Sequence, residues 1–266
     1  MERLVLVERL TLGRKGQSRK AGARMPLHTA QHPRRVILAD DHVLIRRSLR
    51  LLLDSRPDVE IIGECSDGRE VVSMVQELRP DIVLMDVSMP ELNGIDATRQ
   101  IKQLCPSTRV IILTAAVATD QVRDALRAGA LGYVLKRSDI DELVLAISLV
   151  SRGNTYFSSE LAEKLDLVQL MHEAQMDDHR SDLDRLSQRE REVLQLLAEG
   201  HTGRKIAERL YISPKTVEGH KTRLMQKLGA RNRSDLIRFA LTSGLVSQEG
   251  GHELGEAEAG WAVGER

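Results

Sequence analysis

Five side chains suited to handling a phosphoryl group stand at matching places in the first half of the chain: Asp40 with Asp41, Asp86, Thr114 and Lys136. They end or follow short apolar runs, VILAD (36–40), DIVLMD (81–86), RVIILT (109–114) and GYVLK (132–136). Three carboxylates gathered at one point repel and raise one another's pKa unless a divalent cation with oxygen ligands sits among them, and Mg²⁺ is the natural occupant. A carboxylate beside that ion, faced by an ammonium and a hydroxyl, is equipped to attack a phosphoryl group and hold the resulting acyl phosphate. Each aspartate taken alone has a plainer role as the cap of the next helix. Capping does not explain all five together.

The elements that would bring these residues together follow from periodicity. With VEIIGE (59–64), the apolar runs make five β-type segments, and helical patterns near 42–54, 69–78, 94–104, 119–129 and 139–151 follow them in turn. In the last, Ile140, Leu143, Val144, Ile147 and Val150 fall on one stripe. Five strands alternating with helices predict an α/β doubly wound domain with a five-stranded parallel sheet over residues 35–153, whose strand carboxyl ends share one edge. Residues 154–185 read as a linker: LAEKLDLVQLMHEAQM has helical character, but DDHRSDLD after it is polar. His172, Asp177, Asp178 and His179 match no metal-ligand spacing and read as solvated linker residues.

Residues 186–246 predict an all-α unit of four helices. Ser187 and Glu190 form a capping-box pattern ahead of the first, and Gly200 ends it. A second helix is expected over 202–210. Ser213-Pro214 opens a third that runs to Leu228 before Gly229, and a fourth spans 233–242. A short turn between the second and third helices is the mark of a helix-turn-helix unit. From Leu186 to Ala240 there are twelve Lys and Arg against six Asp and Glu. That excess suits contacts with nucleic-acid phosphates.

Composition bounds the rest. A chain of 266 residues, 41% apolar and 29% charged, is expected to be soluble and to hold about two domains. No apolar stretch approaches a membrane span, and acids interrupt the short apolar run of MERLVLVERLTLGRKG, so a cytoplasmic protein without membrane contact is expected. Cys65 and Cys105 lack any ligand or disulfide spacing and read as reduced apolar residues. Residues 1–34 are expected to form a disordered basic extension, a possible DNA-touching arm, and residues 247–266 an acidic disordered tail.

The set Asp40-Asp41, Asp86 with Met89-Pro90 and Asn93-Gly94, Thr114-Ala115 and Lys136 resembles the receiver domain of two-component response regulators over about 120 residues. The resemblance implies Asp86 as phosphoacceptor. It implies Mg²⁺ held by Asp40, Asp41, Asp86 and the backbone carbonyl of Ser88, and contacts to the phosphoryl group from Thr114, Ala115 and Lys136. Tyr133 matches the family's switch aromatic, while Ser88 and Ala116 lie where relatives tune dephosphorylation. Haloacid-dehalogenase-type phosphatases also use a strand-end aspartate, but they need a second acid two residues on, where this chain has Ser88.

LSQREREVLQLLAEGHTGRKIAERLYISPKTVEGHKTRLMQKLGARNRSDLIRFA resembles the LuxR-type DNA-binding domain. Together the two blocks are similar to response regulators of the NarL/FixJ type, which are not turnover enzymes. A sensor histidine kinase, double-stranded DNA read in the major groove, RNA polymerase and a second copy of the chain, when phosphorylated or on DNA, are the implied partners. A regulator of the same architecture that works without phosphorylation is the alternative, and a broken acid pocket would be its mark. The resemblance makes 214–228 the recognition helix, with Glu218, Gly219 and Thr222 facing base edges. Lys215, Thr216, Lys221, Arg223 and Lys227 become candidate phosphate contacts, joined by Thr202 at the start of the second helix. Thr202-Gly203-Arg204 departs from the frequent Ser-Asn-Lys, and a glycine there costs up to about 1 kcal/mol against alanine, so fraying is expected. Glu218 stands where a base is frequent, and a carboxylate there accepts from cytosine N4.

Overall fold

The computed structural model describes residues 32–175, 182–183 and 185–246. The expectations for residues 1–31, for Asp177, Asp178 and His179, and for 247–266 lie outside the described residues. The chain divides into two compact units, Met1–His179 and Arg180–Arg266.

The first unit alternates strand and helix: β1 (Arg34–Ala39), α1 (Val43–Asp54), β2 (Val59–Cys65), α2 (Gly68–Leu78), β3 (Ile82–Asp86), α3 (Gly94–Leu104), β4 (Arg109–Thr114), α4 (Thr119–Ala128), β5 (Gly132–Leu135) and α5 (Ile140–Val150). All pairings are parallel, in the order β2-β1-β3-β4-β5, with a sixth strand, β6 (Tyr156–Phe157), beyond β5. Because strand side chains alternate, Ile37, Val83, Met85, Ile112 and Tyr133 pack on one face, against α2, α3 and α4. Val36, Leu38, Leu84, Leu113 and Val134 fill the other, beneath α1 and α5. Burial on both faces explains why these strands read as continuous apolar runs.

The sixth strand was not among the five expected. Residues 154–185 are more than a linker: they supply β6 (Tyr156–Phe157), α6 (Ser159–Lys164) and α7 (Leu167–Gln175). Tyr133 pairs with Phe157 in the sheet register, and Leu161, Leu167 and Leu170 join the core on the α4 side. Arg123 on α4 fastens α7 through Glu173 at 2.9 Å. Burial of that leucine face makes the segment part of the first unit, despite its polar average.

In the second unit, α8 (Gln188–Ala198), α9 (Gly203–Leu210), α10 (Pro214–Leu228) and α11 (Arg233–Thr242) enclose a core of Val193, Leu194, Leu197, Ile206, Leu210, Val217, Leu224 and Leu236. The capping box at Ser187 and Glu190 is formed on both sides. Ser213 caps α10 with Pro214 in its first turn, and Gly229 ends it at φ 62°. The expected fraying of α9 is not seen: the helix starts at Gly203, with the Thr202 side chain accepting from Lys205 N.

Candidate functional site

The carboxyl ends of β1, β3, β4 and β5 converge. Asp40 follows β1 and Asp86 closes β3; they are 1% and 3% exposed. Lys136, just beyond β5, places Nζ 2.9 Å from Asp40 Oδ2 and 2.9 Å from Asp86 Oδ2. Thr114 ends β4 and turns Oγ1 toward the carbonyl of Ala116 at 3.1 Å. Ala115 is exposed beside it and accepts a hydrogen bond from Arg137 at 3.1 Å. Asp41 and His42 complete the rim, with His42 Nδ1 2.6 Å from Asp41 Oδ1 and 4.0 Å from Asp86 Oδ2.

Asp86 is fixed from behind. A Cβ on Gly94 would come within 1.9 Å of the Asp86 carbonyl oxygen, so only glycine lets α3 start this close to the end of β3. Gly94 N donates to Val87 O at 2.8 Å, and Asn93 caps α3 by accepting from Asp96 N. Half-buried Ser88 lies in the turn between them.

The pocket's electrostatics are unusual for a protein interior. Burial pushes the Asp86 carboxyl up to about 7; Lys136 pulls against that shift, while Asp40 and Asp41 add to it. Burial alone would depress the Lys136 ammonium, but Asp86 and Asp40 outweigh it and the net direction is upward. Asp40 Oδ2, Asp41 Oδ1 and Asp86 Oδ2 are buried without a well-aligned hydrogen bond, despite the ion pairs. Ligand atoms from Asp40, Asp41, His42 and Asp86 all lie within 4.8 Å of one another, and an oxygen-rich set of this kind fits a hard divalent cation.

Tyr133 lies one face away, 1% exposed, its hydroxyl donating to Gln121 O at 2.7 Å. Its ring stacks on Phe157, with centroids 6.3 Å apart. Burial, then Asp124, holds its phenol well above the ordinary range, so it stays neutral.

In the second unit, Val217 and Leu224 turn α10 inward, while Lys215, Thr216, Glu218, Gly219, Thr222 and Arg223 are exposed. Thr202 is exposed at the start of α9. The two remaining candidate bases are engaged within the unit. Lys227 Nζ lies 2.6 Å from Glu190 Oε2 and donates to Arg185 O at 3.1 Å, which ties α10 to the start of α8. Lys221 donates to Glu218 Oε1 at 2.7 Å.

Comparison with known proteins accounts for both units. Residues 36–148 match the response regulator receiver domain, and residues 184–240 match bacterial regulatory proteins of the luxR family. The transcriptional regulatory protein LiaR of Bacillus subtilis is 40% identical over 214 residues, which cover 80% of this chain and 99% of LiaR. The oxygen regulatory protein NreC of Staphylococcus epidermidis is 36% identical over 216 residues, with 80% and 99% covered.

The chain is a response regulator of the NarL/LuxR family.

A solved structure of the Salmonella typhimurium RcsB response regulator, described for its conformational dynamism in DNA interaction, is 28% identical. It covers 79% of this chain and 97% of its own, with a TM-score of 0.54. The response regulator is thus a DNA-binding transcription regulator of a two-component system, with a receiver followed by a LuxR-type helix-turn-helix domain. Among the described residues of this response regulator, no helix is long and apolar enough to cross a membrane.

Two features of the response regulator escaped sequence reasoning. His42 is not among the residues expected at the pocket, although its place directly after two pocket acids is a usable signal. Phe157 had no such signal, because a two-residue strand carries no periodicity.

Proposed function

We propose that Asp86 is the phosphoacceptor of this cytoplasmic response regulator and that a sensor histidine kinase supplies the phosphoryl group. The bridging ammonium of Lys136, 2.9 Å from both Asp40 and Asp86, is the observation that carries this reading. A phosphoryl group arriving at Asp86 gives Lys136 a phosphate oxygen in place of a carboxylate. In the transfer, an oxygen of Asp86 forms the new O–P bond while the N–P bond of the donor phosphohistidine breaks. The departing imidazole keeps the electron pair.

Asp40, Asp41, Asp86 and the Ser88 carbonyl would hold Mg²⁺, which when bound neutralises charge on the phosphoryl oxygens. Thr114 is positioned to give up its bond to Ala116 O and donate to the phosphoryl group, and exposed Ala115 leaves room for it. Tyr133 follows as the switch aromatic, its stack on Phe157 and its bond to Gln121 being the contacts that would change. The output is DNA binding through α10 in the major groove, by a homodimer formed on phosphorylation or on DNA, with RNA polymerase as the further partner. Lys215, Thr216 and Arg223 are the phosphate-contacting candidates best supported by exposure, with Thr202 at the edge. Lys227 is reassigned to holding α8 against α10.

Acetyl phosphate with Mg²⁺ tests the central claim. Wild-type protein should gain one phosphoryl group and Asp86→Asn none, with promoter response lost in parallel; equal labelling of both would overturn it.

A further inference from the structure

The start of α9 and the exposed face of α10 meet at a glycine. A Cβ on Gly203 would lie 3.3 Å from Glu218 Oε1 and 3.5 Å from Lys221 Nζ, so both side chains lean across onto the first turn of α9. They are joined there by the 2.7 Å bond from Lys221 Nζ to Glu218 Oε1. Lys221 is well covered, at 23% side-chain exposure, while Glu218 remains 65% exposed. Gly219, next along α10, differs: a Cβ there would meet nothing within 4 Å. One glycine makes a seat for two side chains, and the other leaves the face beside Glu218 bare.

A Lys–Glu pair three residues apart on a solvated helix is ordinarily weak and does not hold one geometry. Here a second helix backs the pair: even a Cβ at position 203 would crowd Glu218 Oε1 and touch Lys221 Nζ at van der Waals distance, so a longer side chain there would displace both charged ends. The pairing matters because a bare carboxylate on a DNA-facing helix repels the phosphates on either side of the groove. Bonded to Lys221, Glu218 carries little net local charge, one oxygen is committed, and the other is free to accept from a base edge. Among major-groove donors, the exocyclic N4 amine of cytosine is the one a carboxylate reads.

We propose that Gly203 and Lys221 are specificity-positioning residues: together they fix the Glu218 carboxylate so that it reads a cytosine in each operator half-site. The proposal rests on α10 entering the major groove and adds what sets its sequence preference. Lys221, on this view, acts through Glu218 rather than on the phosphates directly.

The test is selection from a random duplex library with the full-length chain, treated with acetyl phosphate and Mg²⁺, followed by measured affinities for the selected site and its single-base variants. Wild type is expected to favour one cytosine per half-site about tenfold over other bases. Glu218→Gln should exchange that preference for adenine, which a carboxamide reads. Gly203→Asn, which fills the seat, should flatten it to within about twofold with affinity for unselected DNA little changed; Lys221→Met, which keeps the packing without the charge, should flatten it equally and, by baring the carboxylate, weaken binding to all DNA as well. Cytosine preference retained in Glu218→Gln overturns the reader. Preference lost in Glu218→Gln but kept in both Gly203→Asn and Lys221→Met overturns the positioning claim alone. A fall in affinity for all DNA in Lys221→Met, with preference intact, returns that residue to a phosphate-contacting role. A wild type that enriches no sequence overturns the groove reading beneath the proposal.

Discussion

In the receiver, Asp40 and Asp86 are almost wholly buried, and three carboxylate oxygens of their pocket lack an aligned hydrogen bond. In the helix-turn-helix unit Glu190 is as buried, at 3% exposure, yet its Oε2 takes bonds from Ser187 N at 2.8 Å and Lys227 Nζ at 2.6 Å. Burial opposes ionisation in both places. For Glu190 the partners outweigh it and hold the carboxyl below its ordinary range, whereas Asp86 is pushed up to about 7. A satisfied buried acid is part of the scaffold; an unsatisfied one is kept for something that arrives later. The contrast also separates bases that look alike in sequence: Lys227 completes a cap, while Lys215 points at solvent.

Four changes would break or sharpen that contrast. Lys136→Ala leaves two buried carboxylates facing each other, and phosphoryl incorporation from acetyl phosphate at pH 7 should fall by more than about a hundredfold, of the order expected when a preorganised charge is removed. Near-normal incorporation would mean that the ammonium only balances charge. Glu190→Ala removes a capping-box partner and the anchor of Lys227, and should destabilise the C-terminal unit by about 3 kcal/mol in thermal or urea unfolding. A loss below about 1 kcal/mol would place Glu190 among ordinary surface acids.

The third change is one of pH. Asp86 moves from an ordinary 3.8 to about 7 on folding, so between those values the folded receiver binds the extra proton. Metal-free stability should therefore fall as pH rises from about 4 to about 7, by at most about 4 kcal/mol. Asp86→Asn should abolish most of that slope and raise the melting temperature at pH 7.5; a wild-type slope of the opposite sign would contradict the buried-acid picture. The smallest effect is expected at the surface. Lys215→Ala should weaken binding to every DNA sequence about equally, by less than about tenfold, and reduce the salt slope by about one ion. A base-specific loss would instead make Lys215 a reader.

Much of the pocket was legible because its residues obey one rule: an apolar run, then a polar group, at the same end of β1, β3, β4 and β5. Asp40, Asp86, Thr114 and Lys136 needed only the sheet's parallel order to become neighbours. The fate of Lys221 and Lys227 was not legible, since charge counts do not distinguish a paired ammonium from a free one. For Lys227 that distinction depends on Glu190, 37 residues away in sequence, and for Lys221 on Glu218, three residues before it. The linker misled for a related reason. Leu161 on α6 and Leu167 and Leu170 on α7 are buried, but the core they join, beside α4, is built by a distant segment.

The two-residue strand β6 has a consequence beyond the stacking of Phe157 on Tyr133. Without it, β5 would present a row of open amides and carbonyls along the border of the sheet, the kind of template on which chains add to one another indefinitely. Tyr156 and Phe157 occupy that row, and their own outer side is too short to recruit a further strand. The β5 border of the sheet is thus closed to strand addition, and among the described strands β2, at the opposite border, is the one left with an open side.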